Sequence, residues 1–275
     1  MARQAKTQRI IDEAYEILSE VNPMTVRQVY YQLVSRQVVE NTRSRYQAVS
    51  DALVDARLEG TIPWEWIEDR LRRPRSVAMW DDLTAFAEAA RISYKRDVWA
   101  SQSDYLEVWL EKDALSGIFE DALSNYGVTL NVGRGYDGWS SIRNAAQRFD
   151  TGEGVTILYF GDFDPSGEDM VRSLRDRLAE LGSKPTILKV ALSLDDVHRY
   201  NLPPNFTKTT DTRRKNFVEQ FGDVSVELDA LPADVLRARL IEEVEQRLDM
   251  KALKQIQELE EKERARLVEA LRAIS

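Results

Sequence analysis

Apolar residues recur at helical spacing through Ile10, Ile11, Ala14, Ile17, Leu18 and Val21, which predicts an amphipathic first helix. Asn22-Pro23 interrupts it, and Thr25 is placed to cap a second helix carrying Val29, Tyr30 and Leu33. Asn41 or Thr42 can cap a third, with Tyr46, Val49, Leu53 and Ala56 on its apolar face and an end near Glu59-Gly60. Thr61-Ile62-Pro63-Trp64-Glu65-Trp66-Ile67 then reads as a short extended piece. Residues 76–98 hold another helix and a connector rich in aromatic and acidic side chains.

Beyond residue 100 the texture changes. Tyr105 to Leu110, Val128 to Val132, Val155 to Phe160 and Thr186 to Leu192 are short apolar runs of strand type. Helical patterns separate them at Ala114 to Tyr126, Gly138 to Phe149 and Gly167 to Leu181. That alternation predicts an α/β fold, a mostly parallel, Rossmann-like sheet with helices on both faces. After the turn-rich Asn201-Leu202-Pro203-Pro204, a helix is expected from Ala233 to about Met250, and a highly charged one from Lys251 to Ile274, peripheral or oligomer-forming. The pattern divides the chain into 1–78, a connector at 79–99, a sheet domain with its extension at 100–245, and a charged C-terminal helix at 246–275. Three short helices followed by an extended piece are how a winged helix reads, with the third helix as groove reader. A plain three-helix bundle is the alternative.

The chemistry gathers where strands end. Val155 to Phe160 stops at Asp162 and Asp164, which at i, i+2 project the same way on extended backbone. Like charges that close resist joint ionisation unless a cation lies between them. The pair therefore reads as half of a divalent-metal site, and Glu111, ending an earlier strand, is the candidate third ligand. Ligands of such sheets bind beyond the carboxyl ends of the strands. Gly133-Arg134-Gly135-Tyr136-Asp137-Gly138 also fits a dinucleotide-binding turn, but it follows the second strand rather than the first. Glu227 and Asp229 form another acid pair, at an expected helix start where they favour the dipole; a fourth acidic group near the metal is the alternative reading. Of the adjacent Tyr30 and Tyr31, only one is expected to point inward.

Composition narrows the chemistry further. The chain has no cysteine and one histidine, His198, which removes thiolate chemistry and His-rich metal sites. No apolar run of membrane-spanning length appears, so a soluble cytoplasmic protein is expected. The net charge of −9 lies wholly in residues 101–275, because residues 1–100 carry 15 basic and 15 acidic side chains. Within that balanced first part Arg43 and Arg45, then Arg70, Arg72, Arg73 and Arg75, are clustered, a locally basic face compatible with DNA.

Glu111-Lys112, Gly133-Arg134-Gly135-Tyr136 and Asp162-Phe163-Asp164-Pro165-Ser166-Gly167 together closely resemble the Toprim domain, a metal-binding module of topoisomerases, primases and related nucleases. The pattern looks most like the topoisomerase VI A subunit and the related meiotic double-strand-break transesterase. That family carries a winged helix ahead of its Toprim domain, with a nucleophilic tyrosine in R-x-x-Y-Y; Arg27-Gln28-Val29-Tyr30-Tyr31 matches in sequence and order. The resemblance spans roughly residues 7–200. It implies that Tyr31 attacks a DNA phosphodiester to give a 5′-phosphotyrosyl link and a 3′-hydroxyl. It implies that Glu111, Asp162 and Asp164 hold one or two Mg²⁺, with Mn²⁺ as a substitute. Arg27, four residues before Tyr31 on the same helical face, is the candidate to stabilise the phenolate or the charged phosphorane. Lys112 and Arg134, inside the first two motifs, join Arg43 and Arg45 as candidate DNA contacts. The implied partners are double-stranded DNA, a second copy whose metal serves the tyrosine of the first, and an ATPase B-type subunit; the implied place is the cytoplasm or nucleoid. The chain is shorter at its N-terminus and between modules than that subunit, as in a minimal A-like form. A hydrolytic Toprim nuclease and a non-catalytic DNA-binding protein are the alternatives.

Overall fold

A computed structural model describes residues 5–68, 77–133, 138–149, 154–204 and 213–272. Arg70, Arg72, Arg73, Arg75, Arg134, Gly135 and Tyr136 lie outside the described residues.

The first unit is three helices, α1 (Ala5–Glu20), α2 (Val26–Ser35) and α3 (Arg43–Leu58). Thr25 closes a capping box with Gln28 at the start of α2, and the Thr42 hydroxyl caps α3 by accepting from Arg45 N. Each cap satisfies amides that a helix start leaves without partners, worth about 1 kcal/mol. Ile11, Ala14, Leu18, Val29, Leu33, Val49, Leu53 and Ala56 fill the space between the helices. The extended piece expected after α3 is not a strand among the described residues. Trp64–Trp66 forms a 3₁₀ turn after Pro63, and only Ile67 pairs, through a single parallel bridge to Met24. Pro63 lacks the N–H a strand would need, and the turn lets Ile67 return to the start of α2.

α4 (Leu83–Ser93) follows, and none of its residues is buried. The sheet then unfolds as predicted: β1 (Asp104–Leu110), α5 (Ser116–Leu123), β2 (Thr129–Val132), α6 (Trp139–Arg148), β3 (Gly154–Phe160), α7 (Pro165–Glu180) and β4 (Thr186–Ala191). All pairings are parallel, in the order β2-β1-β3-β4. Alternation along the strands separates two cores. Tyr105, Trp109, Ile157 and Tyr159 pack with Ile142 of α6 and Met170, Leu174 and Leu178 of α7. Leu106, Val108, Leu110, Leu158 and Phe160 face the other way, toward Phe119 of α5 and Leu236, Leu240 and Val244 of a later helix, and this core is continuous with that of the three-helix unit.

Three further helices, α8 (Leu194–Arg199), α9 (Arg214–Phe221) and α10 (Ala233–Glu245), precede the last, α11 (Met250–Arg272). α11 is tied to the connector rather than standing apart. Glu260 accepts from Arg96 N, Glu263 from Tyr94 and Arg96, and Arg264 donates to the Tyr94 carbonyl. Among the described residues no helix is long and apolar enough to cross a membrane.

Candidate functional site

The strand order reverses between β1 and β3, since the chain leaves β1 for β2 on one side and returns to β3 on the other. Such a switch point opens a crevice beyond the strand ends. Leu110 is level with Phe160, so Glu111 and Gly161 are the first residues past the paired edge. Glu111 N still donates to the Phe160 carbonyl at 2.9 Å, and the Glu111 carboxylate accepts from Asp162 N at 2.9 Å. Two glycines permit this crowding. A Cβ on Gly161 would lie 2.6 Å from Glu111 Oε2, and one on Gly167 would lie 2.3 Å from the Asp162 carbonyl oxygen. Glycine ends the D-x-D-P-x-G motif because a backbone oxygen occupies the place of its side chain.

Asp164 caps α7, accepting from Gly167 N at 2.6 Å, with Pro165 in the first turn where no amide is required. Asp162 is buried and has other partners. Its Oδ1 accepts from Leu228 N at 2.8 Å and lies 3.2 Å from Lys112 Nζ. What brings Leu228 there is an isolated antiparallel bridge, in which Phe163 and Val226 exchange both backbone hydrogen bonds at 2.9 Å. Phe163 is held in turn by Phe217 and Phe221 of α9, with ring centroids 5.1 and 5.4 Å away.

The bridge delivers Glu227 and Asp229 to the site, where Lys112 meets them both at 2.8 Å. The helix-start reading of these two acids is thus corrected. Glu227 precedes and Asp229 lies within a 3₁₀ turn at Leu228–Ala230 that has no side-chain cap, while α10 begins after Pro232, also without one. Lys112, a candidate DNA contact, is directed into the acid cluster instead, with its side chain 17% exposed. Burial favours its neutral form, but Asp229, Asp162 and Glu227 outweigh that and hold it firmly as an ammonium.

Arg27 also joins the cluster. Its guanidinium pairs with Glu227 at 2.5 Å and lies over the Tyr46 ring. Both tyrosines of the pair are buried, contrary to the expectation that one would be exposed. Tyr30 points into the three-helix unit and donates to Asn41 Oδ1 at 3.0 Å. Tyr31 is covered from the other side, because α2 packs on the Leu228–Ala230 turn. Burial first, then the charge of Glu227, pushes the Tyr31 phenol well above its ordinary range, against the pull of Arg27 and Lys112. Arg43 and Arg45 are exposed at the start of α3.

The carboxylates divide by environment. Burial, then the neighbouring Asp162 charge, raises Glu111 to about 7. Burial raises Asp162 to about 6 against the opposing pull of Lys112. Burial also acts on Glu227, but Lys112 and Arg27 hold it below the usual carboxylate range. Glu111, Asp162, Asp164, Glu227 and Asp229 thus gather around Lys112 and Arg27, with Lys189 donating to the Asp162 carbonyl at 2.9 Å and pairing with Glu168. All the donors are oxygens, the type that Mg²⁺ and Mn²⁺ take. Among the described residues no three of these acids already converge as a metal cage, since Lys112 stands between Asp162, Glu227 and Asp229.

One more carboxylate was missed in the sequence. Glu107, mid-strand in β1, is wholly buried and accepts from Tyr105, Trp109, Asn131 and, bidentately, Arg148 at 2.6 and 3.0 Å. It ties α6 to β1 and β2 on the face away from Phe160. No model of a known protein family matches the chain, and no curated protein matches it in sequence.

Proposed function

We propose that the chain is a metal-dependent DNA-cleaving transesterase of the topoisomerase VI A type, with a winged-helix unit ahead of a Toprim-like domain. The observation that carries the reading is the meeting of α2 with the strand-end acids: Arg27 to Glu227, Glu227 to Lys112, Lys112 to Asp162. A tyrosine helix and a set of hard-cation ligands far apart in sequence share one site. Glu111, Asp162 and Asp164 are the carboxylates that would hold Mg²⁺, which when bound supplies positive charge to offset theirs and to polarise a phosphate oxygen.

The rest falls to the chain's own groups. Tyr31 supplies the attacking oxygen and gives up its phenolic proton to water, the phosphorus–O3′ bond breaks as the phosphotyrosyl bond forms, and the departing 3′ oxygen takes a proton from water. An ordinary phenol already needs about 4 kcal/mol to ionise at pH 7, and burial adds to that. The positive charges of Arg27 and Lys112, which already pull against the rise, lower that cost. Duplex DNA along Arg43 and Arg45, and a second copy of the chain, complete the reading.

The depth of Tyr31 favours a second reading, hydrolysis by the acid cluster without a tyrosine adduct. Incubation with supercoiled plasmid and Mg²⁺ separates them. Protein-blocked 5′ ends that vanish in Tyr31→Phe and Asp162→Asn support the transesterase. Free 5′-phosphates that survive Tyr31→Phe support the hydrolase. Binding without cleavage in either Mg²⁺ or Mn²⁺ sinks both.

A further inference from the structure

We infer that Asp162, Glu227 and Asp229 form a second divalent-cation position, occupied here by the Lys112 ammonium, which a metal ion displaces. The inference rests on the metal-dependent reading of the same crevice and adds ligands that none of its sequence motifs contains.

Asp229 points to it most directly. It is 1% exposed, and neither carboxylate oxygen accepts a hydrogen bond. Lys112 Nζ stands 2.8 Å from Oδ2, an ion pair that leaves the carboxylate without a well-aligned donor. A buried carboxylate left in that state is costly, and neighbouring acids do not relieve it. Nζ lies 3.2 Å from Asp162 Oδ1, and its well-aligned hydrogen bond among the described residues goes to Glu227 Oε2 at 2.8 Å. An ammonium has three directed N–H bonds, and this cage uses one of them. A hard cation has no directed donors and ligates oxygens from any side. The cage fits the charge of lysine better than its geometry.

Lys112 is also able to leave. It follows β1 directly, its side chain is 17% exposed, and it has four flexible methylenes. A metal entering the cage would drive Nζ outward, toward solvent. Glu227 then exchanges its lysine for the metal, which weakens its hold on Arg27 and on the helix bearing Tyr31. Metal occupancy and exposure of the basic side chains are thereby one event.

Mn²⁺ titration of the full chain, followed by electron paramagnetic resonance, tests this. The wild type is expected to bind two ions, Asp229→Asn one, and Lys112→Met two, with its weaker ion bound at least tenfold more tightly than in the wild type. Glu111→Gln is expected to lose the other ion. If Asp229→Asn binds as the wild type does while Glu111→Gln loses an ion, the second position is refuted and the first stands. If no variant binds Mn²⁺, both fall. A measurement on the unmutated protein guards against misfolded variants. Acylation of Lys112 by an amine-reactive reagent, read by peptide mass spectrometry, is expected to rise at least threefold with Mn²⁺. Unchanged labelling at saturating Mn²⁺ overturns the displacement.

Discussion

Lys112→Met removes one positive charge and keeps most of the side-chain volume, so its effect isolates the ammonium. The ammonium lies within 2.8 to 3.2 Å of three carboxylates, one of them fully buried. Breaking a buried ion pair by deleting one partner typically costs about 3–5 kcal/mol, because the remaining charge keeps its desolvation penalty. Protonation sets a ceiling on that cost. One acid of ordinary pKa near 4 can be neutralised at pH 7 for about 4 kcal/mol, at about 1.4 kcal/mol per unit. The expected loss is therefore about 3–4 kcal/mol at pH 7.5. It shrinks with acidity, because protons replace the lysine more cheaply, to about 1 kcal/mol at pH 5. Urea unfolding of wild type and variant in EDTA at both pH values measures it. Adding Asp229→Asn should recover about half the loss at pH 7.5, since the deepest uncompensated charge is then gone. A loss that is equal at the two pH values, or under 1 kcal/mol at pH 7.5, refutes the idea that Lys112 neutralises this cluster.

The raised Glu111 and Asp162 set the pH dependence of the metal-free wild type. Their folded forms keep protons that the unfolded chain releases above about pH 4.5, so stability falls as pH rises from there to about 7 and then levels. The melting temperature in EDTA should drop across that window, and Mg²⁺ should raise it at pH 8 far more than at pH 5; a flat profile contradicts the shared burial. Gly167→Ala sets a Cβ 2.3 Å from the Asp162 carbonyl and should displace the loop, lowering Mn²⁺ affinity at least tenfold, whereas Ser166→Ala beside it should not. Phe163→Ala empties the space against Phe217 and Phe221 and should cost about 3–5 kcal/mol in urea unfolding. Glu107→Gln leaves the Arg148 guanidinium facing a neutral amide and should cost about 2–4 kcal/mol, with Mn²⁺ binding intact because Glu107 lies on the other face of the sheet.

What could be read from the sequence was local. The four strands follow from short apolar runs, and the caps at Thr25 and Thr42 from hydroxyls placed before helical periodicity. Glu111 and the Asp162/Asp164 pair were visible because a carboxylate that ends a buried strand has only the crevice to enter. Thr61 to Ile67 misled because its alternation suits a strand, whereas Pro63 and the pull of Ile67 toward Met24 produce a turn. Glu107 carried a signal that went unused. A charge in the middle of an otherwise apolar strand requires a charged partner, and Arg148 at the end of the next-but-one helix supplies it.

The rest of the site depends on contacts that no local pattern encodes. Glu227 and Asp229 looked like ordinary acids before a helix, and only the pairing of Phe163 with Val226 carries them to Asp162. The same turn covers Tyr31 from the side that the three-helix unit leaves open, which is why both tyrosines are buried although one helix face cannot bury two adjacent residues. One long-range bridge thus sets the reach of Lys112, the pairing of Arg27 and the depth of Tyr31. A change that breaks the bridge, such as Val226→Pro, which removes the donated N–H, should therefore alter all three together. Tyrosine exposure, Lys112 acylation and Mn²⁺ affinity would move as one, while Glu107 and its partners on the far face stay as they are. Independent movement of the three would mean that α2 and the strand-end acids are neighbours without being coupled.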